Sequence, residues 1–498
     1  MREQEVPHDN VREAREVVAA PGTSRAARGS LQDEGPLPGR ALDGALDRIV
    51  AYHRSRLRDA VQRRRGQSGR HVGLELKFPV VDGSGRAAGA DAIHRFWEIC
   101  REAGWELDRD GHSGQVVCAR TASSDNPDLI RTTTGICVLE FSIAHAPDLF
   151  SLQRRIGELR PLVAELRRLA GVHLLGLGIQ PLTPPQNKIR HAKGRHLFWD
   201  QVIPPRSRTP HGHRGTVDLF TVIADNQVHV DGSPCDCIDA LNTLNALAGP
   251  QLALTANSSV WAGQSDDRHA AVRELFWDWW LGDSPRAGMP TSPFTDFADY
   301  VRATALLRPV YARRDGDYLG LQDYPSFLEF FAHPTAQAVT TEGRRVGLEP
   351  GGDDIDLHDR AFWWNCRLSR FGTIESRTSC QQPPDEMLLP AALVLGVMEN
   401  LDAARGLWEH LAWSRLRGLR QLAAHGGLGA LEGPQGEPGL VRAMLAVAEE
   451  GLRKRGLGEE TFLAPGWQRV ATGREPASCA REVFGREGVE GLIDRFGW

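Results

Sequence analysis

Hydrophobic and polar residues alternate along several short stretches of the chain. In HVGLELKFPVVDGSG, Leu74, Leu76 and Phe78 fall on one side of an extended backbone and Glu75 and Lys77 on the other, before a Gly-Ser-Gly turn. The segments GQVVCART, TGICVLEFS, HLLGLGIQP, TVDLFTVIA, NQVHVDG and FGTIESRT also read as strands. A 3.6-residue period replaces the alternation over 41–65, 90–103, 149–170, 237–247 and 268–281, which predicts helices. After Glu386 the pattern is mainly helical. The order of elements is not a regular strand–helix–strand repeat. It predicts an α+β fold with a curved, largely antiparallel sheet flanked by helices and a helical C-terminal part.

Residues 1–40 are rich in Pro, Gly, Ser, Arg and Glu and lack an apolar period, so they read as a mobile tail. The expected organisation is that tail, an N-terminal helix in 41–69, a catalytic unit over 70–385, and helices over 386–498 packed on the same fold. At 41% hydrophobic and 25% charged residues, the composition excludes a disordered chain, a collagen-like repeat and a small disulfide scaffold. The net charge of −5 argues against a broad nucleic-acid-binding face. Eight scattered cysteines, with only Cys235 and Cys237 close together, read as reduced thiols rather than a zinc site. No secretory signal is expected, and the apolar run from Met387 to Met398 falls short of the ~20 residues that span a bilayer. The expectation is a cytoplasmic protein without a membrane partner.

The strand faces carry the candidate chemistry. Glu75 and Lys77 share a face in the first strand, Glu140 lies opposite Leu139 and Phe141, Gln227 and His229 line up with Asp231, and Glu375 shares a face with Arg377. Each face alone reads as the wet side of an ordinary half-buried strand. If one curved sheet held all four, its concave face would collect Glu75, Glu140, His229, Glu375 and Arg377. Converging carboxylates raise one another's pKa unless cations intervene, and Mg²⁺ suits such a cluster when it also carries nucleotide phosphates. The FWDWW helix, Phe276 to Trp280, reads first as a packed core face and second as the wall of a pocket for an apolar substrate. His191, His196, His211 and His213 lie in an Arg/Pro-rich stretch without metal-ligand spacing and read as a loop over the site. No phosphate-binding P-loop motif is present in the sequence.

The segments GLELKF, LEFSIAHAPDLFSL, GLGIQPL, QVHVD, LNALAGPQLALTANSSVWAG and WWNCRLSRFGTIESRTSCQQP occur in that order over about residues 71–400. Together they resemble the glutamate–cysteine ligase superfamily, most of all its bacterial carboxylate–amine ligase branch. The resemblance implies a cradle of the glutamine-synthetase-like type and an ATP- and Mg²⁺-dependent ligase. Such an enzyme phosphorylates a substrate carboxylate, in this family glutamate's γ-carboxylate, and an amine then attacks the acyl phosphate. It also implies roles. Glu75, Glu140 and Glu375 are metal ligands, and His229 helps hold metal and nucleotide. Arg377 and Arg367 stabilise transferring phosphate or a substrate carboxylate, and Asn257 lies near the substrate pocket. Small amino-acid substrates are the expected partners, with homo-oligomerisation left open.

Three positions depart from the family pattern. Lys77 stands where a second glutamate is usual, Cys380 where an aspartate is frequent, and Ser259 where a proline is common. Lys77 implies one metal ion fewer, with its ammonium meeting phosphate, or else a weakened site. Two further readings follow: a non-catalytic nucleotide- or partner-binding relative, and a ligase acting on a peptide or carrier-bound natural-product substrate.

Overall fold

The computed structural model describes residues 39–64, 66, 69–122, 126–199, 206–208, 212–282 and 284–498. Of the expected tail, only Gly39 and Arg40 are among them, and they open helix α1, Gly39–Arg63. Strand β1, Val72–Asp82, is followed by α2, Ala90–Glu102. Next come β2, Trp105–Arg109, β3, Val116–Thr121, β4, Leu129–Thr132, and β5, Val138–Ala146. Helix α3, Leu149–Ala170, leads to the short β6, Val172–Leu174. Later elements are β7, Asn226–Asp231, α4, Cys237–Ala246, α5, Val272–Leu281, β8, Cys366–Leu368, and β9, Thr373–Ser376. Two of the closing helices are α6, Leu389–Met398, and α7, Leu440–Arg455.

The strands form one antiparallel sheet in the order β8-β9-β7-β1-β5-β4-β3-β2, with β6 on the far end of β1. The first strand in sequence is therefore central, flanked by β5 and β7. Its apolar side chains, Leu74, Leu76 and Phe78, are fully buried and join Leu139, Phe141, Val228, Val230 and Ile374 in the main core. Helix α3 is held at its start by Asp148, whose carboxylate accepts from Ser151 N at 2.7 Å. Every residue of α6 is buried, as its uniformly apolar sequence requires. It crosses α7 so closely that a Cβ on Gly451 would stand 1.9 Å from the Gly396 carbonyl oxygen. Among the described residues, no helix is long and apolar enough to cross a membrane.

Two expected strands take other forms. TVDLFTVIA contains a 3-10 helix, Val217–Thr221. Thr216 Oγ1 accepts from Asp218 N at 3.2 Å and Thr221 Oγ1 donates to Asp218 O at 2.6 Å. Such local bonds compete with ladder formation. HLLGLGIQP supplies only β6 and isolated bridges at Leu175 and Ile179. Beyond β6 it threads between other backbones: a Cβ on Gly176 would meet Gln382 O at 2.6 Å. The expected helix at 268–281 starts at Val272. A second antiparallel sheet, Tyr311–Arg314, Asp317–Gly320, Ala336–Val339 and Arg345–Leu348, was not evident from the alternation.

One buried histidine makes stability depend on pH. His358 stacks on Phe327 at 4.1 Å, and its Nε2 lies 2.8 Å from the Thr304 carbonyl. Burial, with Arg286 and His53 adding to it, pushes its pKa down to about 3 despite that hydrogen bond. The unfolded chain therefore binds a proton below its ordinary 6.5 that the folded chain refuses, so stability falls with falling pH. Urea titrations of wild type and His358→Gln are expected to diverge below that point. The wild type should lose about 1.4 kcal/mol more per pH unit; parallel pH profiles would contradict the assignment.

Candidate functional site

The strand register brings the polar faces of β4, β5, β1, β7, β9 and β8 into rows. In one row Arg131 lies opposite Glu140, and Glu140 opposite Lys77. In the next, Ser142 faces Glu75, and Glu75 faces Gln227. In the third, His229 lies opposite Glu375, and Glu375 opposite Arg367. The period-2 geometry of strands thus delivers Glu75, Lys77, Glu140, His229, Glu375, Arg367 and Arg377 to one surface.

Acid and base alternate across this surface. Arg367 holds Glu375 with two bonds, Nε to Oε2 at 2.9 Å and Nη2 to Oε1 at 3.2 Å. Arg377 Nη1 donates to Glu375 Oε1 as well, and to Gln227 Oε1 at 2.7 Å. Only 4% of the Glu375 side chain is exposed. Burial alone would raise its pKa, but the two guanidiniums and His229 hold it down to about 2. Lys77 Nζ reaches Asp225 Oδ1 at 2.6 Å and Glu140 Oε2 at 3.7 Å. On its far side Glu140 meets Arg131 Nε at 3.3 Å. Asp225 is also approached by Arg273 Nη1 at 3.6 Å and accepts from Gln227 Nε2 at 2.9 Å.

Glu75 differs from the other acids. It is 26% exposed and pairs with His229, whose Nε2 lies 3.6 Å from Oε1. Burial works against its charge, yet His229, Lys77 and Arg131 hold its pKa well below the usual carboxylate range. The His229 pKa is raised, because Glu75 and Glu375 outweigh desolvation. Its Nδ1 pairs with Thr373 Oγ1 at 3.0 Å, while the buried Nε2 faces Glu75 with no closer hydrogen-bond partner among the described residues. Among the described residues, no group of three or more His, Cys, Asp or Glu side chains could by itself hold a metal ion.

Beside the rows lies a cavity of about 170 Å³. Lys77, Glu140, Asp225 and Arg377 form its polar side. Trp277 and Trp280 of α5 form part of an aromatic side with Trp199, Phe220, Tyr311 and Trp363. Arg195 and Arg360 also line it, and among the described residues neither has a carboxylate within ion-pair distance. The Arg360 pKa is lowered by burial and by nearby Arg195 and Arg131. His191 and His196 read from sequence as part of a surface loop, but both are buried, His196 within the 3-10 helix Gly194–Leu197, and His196 lines the cavity. His191 is held near pKa 4 by burial and Lys193. His211 lies outside the described residues.

Asn257 is brought elsewhere. Its Nδ2 donates to the Gly176 and Gln381 carbonyls, both at 2.8 Å, in the interior. Cys380 is wholly buried, its Sγ 3.7 Å from Ser258 Oγ. Ser259 Oγ donates to the Ala477 carbonyl at 2.9 Å. Cys235 is exposed and Cys237 buried, both as free thiols. Sequence reasoning missed Asp225, Arg131, Arg195 and Arg360. For Asp225 a signal existed: it lies two residues before Gln227 and so continues the Gln227–His229–Asp231 face.

The antiparallel sheet interleaves buried carboxylates with guanidiniums, groups that bind carboxylate and phosphate oxygens. Residues 71–495 match the family model for glutamate–cysteine ligase family 2, and the chain belongs to that family. Among solved structures, it is similar to a glutamate–cysteine ligase from Francisella tularensis in complex with AMP. The TM-score is 0.52 at 10% identity, over 86% of this chain and 87% of that one, and this likeness shows the fold. The ligase PafA in complex with the prokaryotic ubiquitin-like protein Pup gives 0.34 at 13% identity, over 85% and 67% of the two chains. A glutamine synthase homologue gives 0.29 at 15%, over 86% and 74%. No curated protein sequence matches. Family and fold support an ATP-dependent carboxylate–amine ligase.

Proposed function

We propose that the protein joins the γ-carboxylate of glutamate to an amine at the expense of ATP. The observation that carries this reading is Glu375 clamped between Arg367 and Arg377, with Arg377 also bordering the cavity. A carboxylate oxygen attacks the γ-phosphorus of ATP, the bond to the bridging oxygen breaks, and ADP leaves. The amine nitrogen then attacks the acyl carbon. A C–N bond forms, the C–O bond to phosphate breaks, and phosphate departs with the electron pair and takes up the amine proton. Arg377, fixed by Glu375 and Gln227, supplies positive charge where phosphoryl oxygens gain negative charge. Arg367 acts mainly by holding Glu375, since its Nη1 is taken by the Asp359 and Phe362 carbonyls.

The residues fit Mg²⁺ in a restricted way. Glu140 and Glu375 are already matched by cations, which leaves Glu75, backed by His229, as the carboxylate to hold an ion. Mg²⁺ needs only one or two carboxylates when phosphates and water complete its shell. When bound it neutralises charge on the transferring phosphoryl group. Lys77 supplies a fixed positive charge between Glu140 and Asp225.

The test is ADP release from ATP and Mg²⁺ with glutamate and a panel of amines. Amine-dependent release is expected, and Glu375→Gln should reduce it by about 10²-fold or more. Release that ignores the amine, or full activity in Glu375→Gln, would overturn the proposal.

A further inference from the structure

We propose that the acceptor is an amino-acid-like amine carrying a flat aromatic group and an acidic group, seated in the chamber beside the acid–base rows. This rests on the ligase reading and adds the class of amine. The chamber's volume of about 170 Å³ is close to that of an apolar cavity, about 150 Å³, that admits benzene. Its aromatic side is preassembled. Trp277 stacks on Trp363 at 4.8 Å and 24°, and Trp199 approaches Trp363 at 5.0 Å. Aromatic groups prefer such offset and tilted neighbours, so a further ring would extend the cluster.

Polar groups in the same wall also call for a ligand. Trp280 is 1% exposed, and its Nε1 has no hydrogen-bond partner among the described residues. Glu140 and Asp225 border the chamber already paired with Lys77, at 3.7 and 2.6 Å, so a ligand's ammonium would share them with that lysine. Arg195 and Arg360 border it with no carboxylate in ion-pair distance among the described residues, which suits an acidic group on the ligand. A small polar amine such as cysteine or alanine would leave the aromatic side facing water.

The experiment is equilibrium binding, followed by tryptophan fluorescence and calorimetry without ATP, using L-phenylalanine, L-alanine, phenethylamine and adenosine. L-Phenylalanine is expected to bind at least tenfold more tightly than L-alanine, and more tightly than phenethylamine, which lacks the carboxylate. Trp363→Leu should erase the first preference. Arg360→Gln, which leaves the aromatic wall intact, should erase the second and covers a failure of the tryptophan variant to fold. Equal binding of alanine and phenylalanine, or no binding, would overturn the proposal. Adenosine displacing phenylalanine would assign the chamber to the nucleotide base and overturn it too. Phenylalanine binding with no amine-dependent ADP release would sink the ligase reading while leaving the chamber's preference standing.

Discussion

Exchanging Arg377 for lysine is expected to lower kcat by about 10²–10³-fold while ATP binding and stability stay near the wild-type values. The arginine makes both recorded side-chain bonds, to Glu375 and Gln227, through Nη1. Its second terminal nitrogen has no hydrogen bond among the described residues and so can meet an oxygen in the chamber that Arg377 borders. A lysine keeps the charge but has no rigid fork to hold Glu375, Gln227 and a phosphoryl oxygen together. The fold should tolerate the change, because Arg367 still grips Glu375 at 2.9 and 3.2 Å. Steady-state kinetics with a saturating amine separates the outcomes. A rise in KM at unchanged kcat would mean that Arg377 holds the ground state only, and its assigned role would fall.

Lys77 should show the largest effect on stability. Its side chain is 11% exposed and lies between two carboxylates that are at least as buried. Lys77→Met removes the cation and leaves both acids, which should cost about 3–5 kcal/mol in urea titrations. Lys77→Glu adds a third acid and should be less stable still in chelator, with Tm recovering in millimolar Mg²⁺ or Mn²⁺ as an ion takes the ammonium's place. The wild type should show no comparable metal-dependent gain. On the proposed function, ligase turnover should drop in both variants, because Lys77 borders the cavity between Glu140 and Asp225. A silent wild type and a large gain in ATP turnover in Lys77→Glu would instead mark the native protein as a decayed enzyme.

Much of this arrangement can be read in the chain because strand periodicity is rigid. Alternation alone assigns Glu75 and Lys77, Gln227 and His229, and Glu375 and Arg377 to shared faces, and the register then fixes who sits opposite whom. Periodicity is silent about which strands are neighbours. The convergence of residues 75, 140, 229 and 375 came from the family resemblance rather than from the pattern. Arg131 lies in LIRT, too short to declare itself a strand, and Arg195 lies in a single 3-10 turn, Gly194–Leu197, too short to show a period. Lys77 was legible as a departure and Glu140 as a member of the same face, but Asp225 was missed because it precedes its strand. The aromatic helix α5 reads first as a packed core face, which Phe276 fits, and Trp277 and Trp280 are in the core and line the chamber as well.

Placing the earliest strand at the centre of the sheet has a consequence during synthesis. β1 leaves the ribosome well before β9, the strand that carries Glu375. At ~5–20 residues per second the interval is roughly 15–60 s. Throughout it Leu74, Leu76 and Phe78 lack part of their eventual cover, and Glu75 and Lys77 await partners not yet translated. A nascent chain with this topology depends on chaperone protection for longer than one whose central hairpin closes locally.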